Sequence, residues 1–349
     1  MTNLSLVRRP EAVIFGCAGM TLNADERTFF KDCDPLGFIL FARNCETPDQ
    51  VSELVSELRS VVGRDDAPVL IDQEGGRVQR LGPPHWPVYP SARNLVGAAM
   101  DTNPATAEEA VRLNAYLIAH DLQRLGIDVD CAPVADVPEV GAHEIIGDRA
   151  YGGSPGEVAK LARAACDGLL QGGVLPVIKH IPGHGRARVD SHMELPVVDV
   201  SRDDLDAVDF APFEALSDMP WAMTAHVVYS AIDPDTPATL SKMMINDVIR
   251  EQIGFDGILI SDDLSMQALN GDFRARAEGA LAAGCDLALH CNGDMSEMTA
   301  VAEGLAEMAD EAYVRLKRGA KLRTSAAAIS MLDPDLARAR LQELTGKQA

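Results

Sequence analysis

Eight short apolar runs, separated by segments of helical periodicity, constrain the fold of this chain more than any other feature of its sequence. Short runs rich in β-branched residues predict buried strands, and apolar residues three and four positions apart predict helices. The predicted strands cover residues 12–17, 37–41, 68–72, 127–132, 175–180, 221–226, 257–262 and 286–290. Eight successive strand-helix units predict an α/β fold, the (β/α)8 or TIM barrel, over about residues 12–320.

Several of the intervening segments carry signals for helix ends. Thr47-Pro48-Asp49-Gln50 predicts a capping box with proline in the first turn, and Ser154-Pro155-Gly156-Glu157 repeats the pattern. Helices that begin near residues 104, 242 and 272 are predicted to end at Gly126, Gly254 and Gly284, just before the next strand.

The alternative to a barrel is an open, doubly wound sheet. That fold usually begins with a glycine-rich phosphate turn, and no G-x-G-x-x-G follows the first predicted strand. The sequence also has no Pro/Ser-rich linker and no repeat of solenoid length. We therefore expect residues 1–349 to form a single barrel domain, with a C-terminal helical tail at about 325–349.

The charge of the chain bears on its partners. With 31 Lys and Arg against 53 Asp and Glu, the net charge is −22, so we expect neither a nucleic-acid nor a membrane-surface partner. Arg8-Arg9 resembles the start of an export leader, but Pro10 and Glu11 interrupt it. The seven cysteines form no C-x-x-C pair, which is typical of a reducing compartment. We therefore expect a cytoplasmic protein.

Polar residues collect at the predicted C-terminal ends of the strands, where barrel enzymes build their active sites. They lie in the segments Asp72–Arg80, Lys179–Gly185, Thr224–His226 and Ser261–Asp263. Asp262 follows an apolar strand and has two interpretations, a helix N-cap or an inward-facing catalytic carboxylate. Because Asp263 or Ser265 can serve as the cap, we favour catalysis for Asp262.

Asp190 and His192 are separated by one residue in the segment after the fifth strand. A bare Asp-x-His is commonly a solvated turn, but such a pair can also orient an imidazole for general acid/base catalysis. The neighbouring Gly183 and Gly185 favour the second interpretation. We expect the loop of residues 181–196 to move and to carry the pair over a bound ligand.

Three cationic residues, Lys179, Arg80 and Arg149, accompany these candidates. Each alone would suggest half of an ion pair, whereas together they suggest donors for a hydroxyl-rich or acylated ligand. Metal-dependent barrel hydrolases are the alternative, but they place an H-x-H pair on the first strand, which here offers only Phe15-Gly16-Cys17. We therefore expect no metal.

Several motifs in the same order resemble those of the family 3 glycoside hydrolases. They are Asp72-Gln-Glu-Gly-Gly-Arg77, Gly147-Asp-Arg149, Lys179-His-Ile-Pro-Gly-His-Gly185, Asp190-Ser-His192, Met223-Thr-Ala-His226, Ile260-Ser-Asp-Asp-Leu-Ser-Met266 and Gly284-Cys-Asp286. The resemblance is strongest to the bacterial cytoplasmic β-N-acetylglucosaminidases of peptidoglycan recycling, and it runs over about residues 12–300.

The resemblance implies a retaining exo-hydrolase that removes non-reducing N-acetylglucosamine from 1,6-anhydro-muropeptides without a metal or cofactor. It implies that Asp262 is the nucleophile, that His192 is the acid/base and that Asp190 is its partner. It further implies sugar binding by a set of five residues, namely Asp72, Arg80, Arg149, Lys179 and His180. We expect the protein to act as a monomer on this small-molecule substrate.

Three alternatives stay open at this point. A neutral histidine as acid/base repels anions less than a carboxylate would, so the glycosyl-enzyme could be attacked by phosphate instead of water. The enzyme could also be a general family 3 β-glucosidase. A third alternative is a muropeptide-binding barrel without catalytic activity.

Overall fold

Eight parallel strands close into a barrel in the computed structural model, which describes residues 9–139, 141, 144–189, 191, 194–329 and 332–346. In chain order they are β1 (Glu11–Gly16), β2 (Pro35–Leu40), β3 (Val69–Ile71), β4 (Val129–Asp130), β5 (Leu175–Ile181), β6 (Trp221–Thr224), β7 (Ile258–Asp263) and β8 (Leu287–His290). Each strand pairs with its neighbours in the chain, and β8 pairs with β1 to close the cylinder. The predicted (β/α)8 barrel is confirmed.

Helices surround this cylinder. The α-helices are Ala24–Cys33, Pro48–Val62, Ala92–Thr102, Ala107–Gln123, Pro155–Gln171, Arg202–Asp204, Ala211–Ala215, Phe273–Ala283, Met295–Ala302, Asp310–Ile329 and Pro334–Leu344. Two wider π-helical segments, Leu205–Phe210 and Met244–Gln252, lie among them, and the second stands where the sequence predicts a helix from 242. Pro48–Val62 buries the predicted apolar face of Val51, Leu54, Val55 and Leu58.

The predicted helix ends are partly right. Gly126, Gly254 and Gly284 all have positive φ, as the glycine stops require. The first predicted capping box is half present, because Thr47 Oγ1 accepts from the Gln50 N–H, whereas the second is absent, because the Ser154 side chain makes no capping hydrogen bond. Gln50 accepts a hydrogen bond from the backbone N–H of Glu46 rather than of Thr47, and Glu157 likewise accepts from Gly153 rather than Ser154.

The tail of the chain packs against the barrel helices. Helix Asp310–Ile329 begins before the predicted boundary at 325, and Pro334–Leu344 follows it. Arg340 of the last helix lies 2.9 Å from Glu109, and the Tyr116 hydroxyl donates to the Leu332 carbonyl. Among the residues that the structure describes, every helix is too short or too polar to cross a membrane.

Candidate active site

The alternation of side chains along the strands brings three candidate residues to one end of the barrel. Leu70, Val177 and Ile260 belong to the core cluster that fills the barrel interior. Because side chains repeat their direction every two residues, this parity predicts that the residue two positions later on each strand faces the same interior. These residues are Asp72, Lys179 and Asp262, and all three line one cavity.

That cavity has a volume of about 270 Å³ and lies at the C-terminal mouth of the barrel. It brings together six of the eight residues that the sequence analysis selected, namely Asp72, Arg80, Arg149, Lys179, His180 and Asp262. The other two, Asp190 and His192, lie outside the described residues. Ser191, which stands between them in the chain, is 3 % exposed and lines the cavity.

A network of ion pairs forms one wall of the cavity. The Lys179 ammonium nitrogen lies 2.9 Å from Asp72 Oδ1 and 2.7 Å from Glu74 Oε1. Arg149 donates to both oxygens of Glu74 at 2.8 Å, and Arg80 donates to Asp72 Oδ2 at 3.0 Å. Each buried charge therefore faces an opposite charge, which offsets the cost of its desolvation.

The network also determines the charge states of its members. Burial alone would raise the pKa of Asp72, but the Lys179 ammonium and the Arg80 guanidinium hold it well below its ordinary value. Glu74 is likewise buried, and Arg149 and Lys179 lower its pKa to about 2. Burial opposes the charge on Lys179, yet Asp72 and Glu74 raise its pKa above the usual range. All three groups are thus charged at neutral pH.

Asp136 orients the two histidines that follow β5. Its Oδ2 lies 2.7 Å from His180 Nδ1, and its Oδ1 accepts from the backbone N–H groups of both His180 and His184. An ionised carboxylate can only accept, so His180 carries a proton on Nδ1 and keeps Nε2 for a ligand. Burial and the nearby His180 lower the pKa of His184 to about 4, and its Nε2 lies 3.2 Å from Ser191 Oγ.

The two aspartates at the end of β7 have different surroundings. Asp263 Oδ1 accepts from the N–H groups of Ser265 and Cys291, and its Oδ2 accepts from the Ser265 hydroxyl at 2.6 Å. Asp262 Oδ1 accepts from the N–H of Asp263 at 2.8 Å. Asp263 thus holds the turn that follows the strand and does not cap a helix as expected, because the next helix, Phe273–Ala283, is capped by Asp272. Both Asp262 and Asp263 line the cavity.

A further carboxyl, that of Asp130, is fully buried near the network. Its Oδ1 accepts from the Gln73 N–H at 2.9 Å, and its Oδ2 has no hydrogen-bond partner among the residues that the structure describes. Burial raises its pKa to about 7, against the lowering effect of the Gln73 hydrogen bond. Gln73 Oε1 in turn accepts from the N–H groups of Arg80 and Leu81. Asp130 and Gln73 therefore connect β4 by hydrogen bonds to the segment that carries Arg80.

The first part of the loop after β5 is firmly attached. The Tyr229 hydroxyl donates to the Gly183 carbonyl at 2.5 Å. Arg186 donates to Asp209 at 2.6 Å and to Glu139 at 2.7 Å. These contacts concern residues up to 186 only, so the predicted movement of the 181–196 loop stays a prediction.

Sequence reasoning missed Glu74, Asp136, Asp130 and Gln73. Glu74 stands two residues after Asp72 in a quoted motif, so the same alternation could have indicated it. Asp136 follows β4, a strand end where no candidate was sought. Within the described ranges, no group of three or more His, Cys, Asp or Glu side chains could hold a metal ion. Catalysis without a metal stays a prediction.

A closed barrel that presents a strand-end carboxylate beside ion-paired hydrogen-bond donors can bind a hydroxyl-rich ligand at its mouth. The chain is a glycoside hydrolase: the Glycosyl hydrolase family 3 N terminal domain matches residues 5–318. The chain therefore belongs to glycosyl hydrolase family 3.

Its relatives agree with this assignment. It is 42% identical to a beta-hexosaminidase of Methylococcus capsulatus over 285 residues, which cover 80% of this chain and 82% of that protein. Its fold is similar to NagZ from Neisseria gonorrhoeae in complex with N-trifluoroacetyl-D-glucosamine, with a TM-score of 0.84 and 30% identity, covering 97% and 99% of the two chains. A beta-N-acetylhexosaminidase from Beutenbergia cavernae gives a TM-score of 0.71 at 28% identity, covering 96% and 94%.

Proposed function

We propose that this protein is a retaining exo-β-N-acetylglucosaminidase that removes non-reducing N-acetylglucosamine from 1,6-anhydro-muropeptides during cell-wall recycling. The observation that carries the proposal is the presence of Asp262 in the same cavity as Asp72, Arg149 and Lys179. This cavity combines a carboxylate with donors and acceptors for sugar hydroxyls. Relatives named as beta-hexosaminidases support the N-acetylated substrate.

In the first step, Asp262 attacks the anomeric carbon and forms a covalent glycosyl-enzyme as the bond to the leaving oxygen breaks. His192 donates a proton to that oxygen, and Asp190 stabilises the imidazolium beforehand. In the second step, His192 removes a proton from water, which attacks the anomeric carbon and releases Asp262. Support for the pair's location comes from Ser191, which lines the cavity and lies 3.2 Å from His184.

The five candidate binding residues hold the sugar in this scheme. Asp72 accepts hydrogen bonds from sugar hydroxyls, and the Nε2 of His180 forms a further hydrogen bond with a hydroxyl. Arg80, Arg149 and Lys179 supply charge-assisted donors. Asp72 already bonds Arg80 and Lys179, while Glu74 holds Arg149 and Asp136 holds His180. These side chains therefore need little reorganisation when the sugar arrives. A ring held in this way presents its anomeric carbon to Asp262 in a near-attack geometry.

The experiment compares nitrophenyl N-acetylglucosaminide with nitrophenyl glucoside, each with and without phosphate, and then tests an anhydro-muropeptide. We expect preference for the N-acetylated sugar and release of the free sugar in the presence of phosphate. N-acetylglucosamine 1-phosphate as product would instead support phosphorolysis. Equal rates on both glycosides would indicate a general β-glucosidase, and no turnover with retained binding would indicate a binding barrel.

We further propose that residues 1–349 act as one catalytic domain, as a monomer and in the cytoplasm. The contacts of Arg340 with Glu109 and of Tyr116 with Leu332 support a tail that belongs to the barrel. Sedimentation of the purified protein tests the monomer, and fractionation of the producing cell tests the compartment. A stable dimer or a protein found outside the cytoplasm would contradict these two proposals.

A further inference from the structure

The sheet ladder is irregular around Asp262 on both sides of β7. Pairing between β6 and β7 runs from Trp221 opposite Ile258 to Met223 opposite Ile260 and goes no further. On the other side, the pairing of β7 with β8 shifts register between Ile260 and Asp263. Backbone groups around Asp262 therefore need partners other than the regular ladder.

Side chains supply these partners. The Asp262 N–H donates to Thr224 Oγ1 at 3.3 Å, and Thr224 Oγ1 lies 2.7 Å from Thr239 Oγ1. Thr239 Oγ1 lies 2.7 Å from His226 Nδ1, and His226 Nε2 lies 3.1 Å from the Asp263 carbonyl oxygen. We call Thr224, Thr239 and His226 the hydroxyl-imidazole chain. It begins and ends on the two residues at the tip of β7.

The proton positions along this chain follow from its two ends. A carbonyl oxygen only accepts, so His226 Nε2 carries a proton and donates to Asp263. Burial lowers the pKa of His226, so the ring is neutral and Nδ1 is an acceptor. Thr239 must then donate its single proton to Nδ1, and Thr224 must donate to Thr239. The Thr224 oxygen is left with lone pairs for the Asp262 N–H. Each hydrogen bond is therefore donated in the same direction, from the Asp262 N–H toward the Asp263 carbonyl.

No member of the hydroxyl-imidazole chain is exposed to solvent. Thr224, Thr239 and His226 each have 0 % exposure, so water cannot replace a missing bond from outside. The Thr239 hydroxyl has a second acceptor in reach, the Ala225 carbonyl at 3.1 Å. Donation there would leave His226 Nδ1 without a partner, which is costly in a buried site. The 2.7 Å contact with Nδ1 is also the shorter of the two.

We propose that the hydroxyl-imidazole chain is a positioning device for the nucleophile, in which Thr239 and His226 act on the reaction through the backbone of Asp262 and Asp263. The proposal rests on the proposed role of Asp262. Asp262 Oδ1 already accepts from the Asp263 N–H at 2.8 Å, so the peptide that the chain holds also orients the attacking carboxylate. None of the three residues needs to touch the sugar.

The test compares Thr239→Val, which removes the hydroxyl while keeping the branched shape, with Thr239→Ser, which keeps the hydroxyl. The substrate is dinitrophenyl N-acetylglucosaminide, whose leaving group departs without a proton, so the first step reports the nucleophile and not the acid/base. We expect Thr239→Val to lower kcat/KM, which reports the steps up to the first bond cleavage, about 10- to 100-fold, because a small misplacement of a reacting group has effects of this size. The affinity for N-acetylglucosamine as a competitive inhibitor should change little. The kcat/KM of Thr239→Ser should stay within about threefold of that of the unaltered enzyme, because serine keeps the hydroxyl that forms these hydrogen bonds.

Two outcomes of the kinetics would overturn the proposal. One is an unchanged kcat/KM for Thr239→Val, and the other is an equal loss of kcat/KM in Thr239→Ser. Asp262→Asn serves as the reference: if it keeps its activity, the proposed function fails, whereas an inactive Asp262→Asn beside a fully active Thr239→Val refutes the positioning device alone.

A second measurement uses the unaltered protein and does not depend on how a variant folds. Nitrogen NMR of the histidine rings at neutral pH, assigned with His226→Gln, reports which nitrogen carries the proton. The proposal requires the Nε2–H tautomer at His226. An Nδ1–H tautomer or a doubly protonated ring would contradict it.

Discussion

Glu74 Oε1 lies 2.7 Å from the ammonium nitrogen of Lys179, and the two side chains are only 8% and 2% exposed. The lysine that sequence analysis selected as a sugar ligand is therefore half of a buried ion pair before any sugar binds. Arg149 shares the same carboxylate, so one glutamate organises two of the proposed donors. This arrangement joins the stability of the barrel mouth to its proposed function.

Asp262→Asn should abolish turnover, because an amide cannot attack the anomeric carbon although it has nearly the size of the carboxylate. We expect a loss of several orders of magnitude in kcat, measured with nitrophenyl N-acetylglucosaminide. Asp263→Asn is the matched control on the adjacent residue. It should lose stability, by about 1–3 kcal/mol in the free energy of unfolding, because it weakens bonds to Ser265 and Cys291. Equal losses of activity at both positions would leave the nucleophile unassigned.

Glu74→Gln should destabilise the protein, because it leaves the charges of Lys179 and Arg149 incompletely matched in a buried site. Removing one partner of a buried pair costs about 3–5 kcal/mol, to be measured by denaturant unfolding. Glu109→Gln is the control, because Glu109 and its partner Arg340 are 36% and 46% exposed and a surface pair of this kind contributes little to stability. Similar losses in both variants would contradict the buried network.

Lys179→Ala and Arg149→Ala should each raise KM and lower kcat/KM, because each removes a charge-assisted donor to the sugar. We expect reductions in kcat/KM of about 10- to 100-fold, from roughly 1.5–3 kcal/mol for a hydrogen bond to a charged group. Lys160→Ala is the control, because its ion pair with Glu108 is on the surface, and the lysine is 62% exposed. A normal KM in a folded Lys179→Ala enzyme would remove that residue from the sugar site.

Asp130→Asn should flatten the pH dependence of stability. The unfolded chain releases this proton near the ordinary pKa of 3.8, whereas the folded protein keeps it up to about 7. Between these values the folded state binds the additional proton, so this residue's contribution to stability falls as pH rises, by about 1.4 kcal/mol per unit. Asparagine keeps an oxygen for the Gln73 N–H and removes the titration.

The measurement for Asp130 is denaturant unfolding between pH 4 and 8, where the difference between variant and unaltered protein should grow in favour of the variant. Asp101→Asn, at an exposed position, is the control for the substitution itself. A constant difference for Asp130→Asn would mean that its carboxyl is ionised throughout this range.

His192→Ala should lose far more activity on a disaccharide or muropeptide than on a nitrophenyl glycoside. The natural leaving oxygen needs a proton, whereas nitrophenolate departs unaided. Asp190→Asn should show the same pattern in weaker form. The ratio of the kcat/KM losses on the two substrates is the decisive quantity, and equal losses would mean that the proton donor is another group.

Local patterns in the sequence determined the eight strands and the glycine stops at Gly126, Gly254 and Gly284. These features depend on the periods of strands and helices and on the backbone freedom of glycine, all of which act between near neighbours. The capping boxes show the limit of this reasoning. Thr47 and Gln50 are the right residues, but the geometry of the entering chain sends the glutamine side chain to Glu46.

Only the tertiary structure decided which charges meet. Lys179 and Asp72 are 107 positions apart, and the strand pairing that brings them to 2.9 Å leaves no local trace in the sequence. The same holds for Glu74 beside Arg149 and for Asp136 beneath His180. Burial and charge partners are properties of the closed barrel, because both depend on how strands distant in the chain are arranged around one interior.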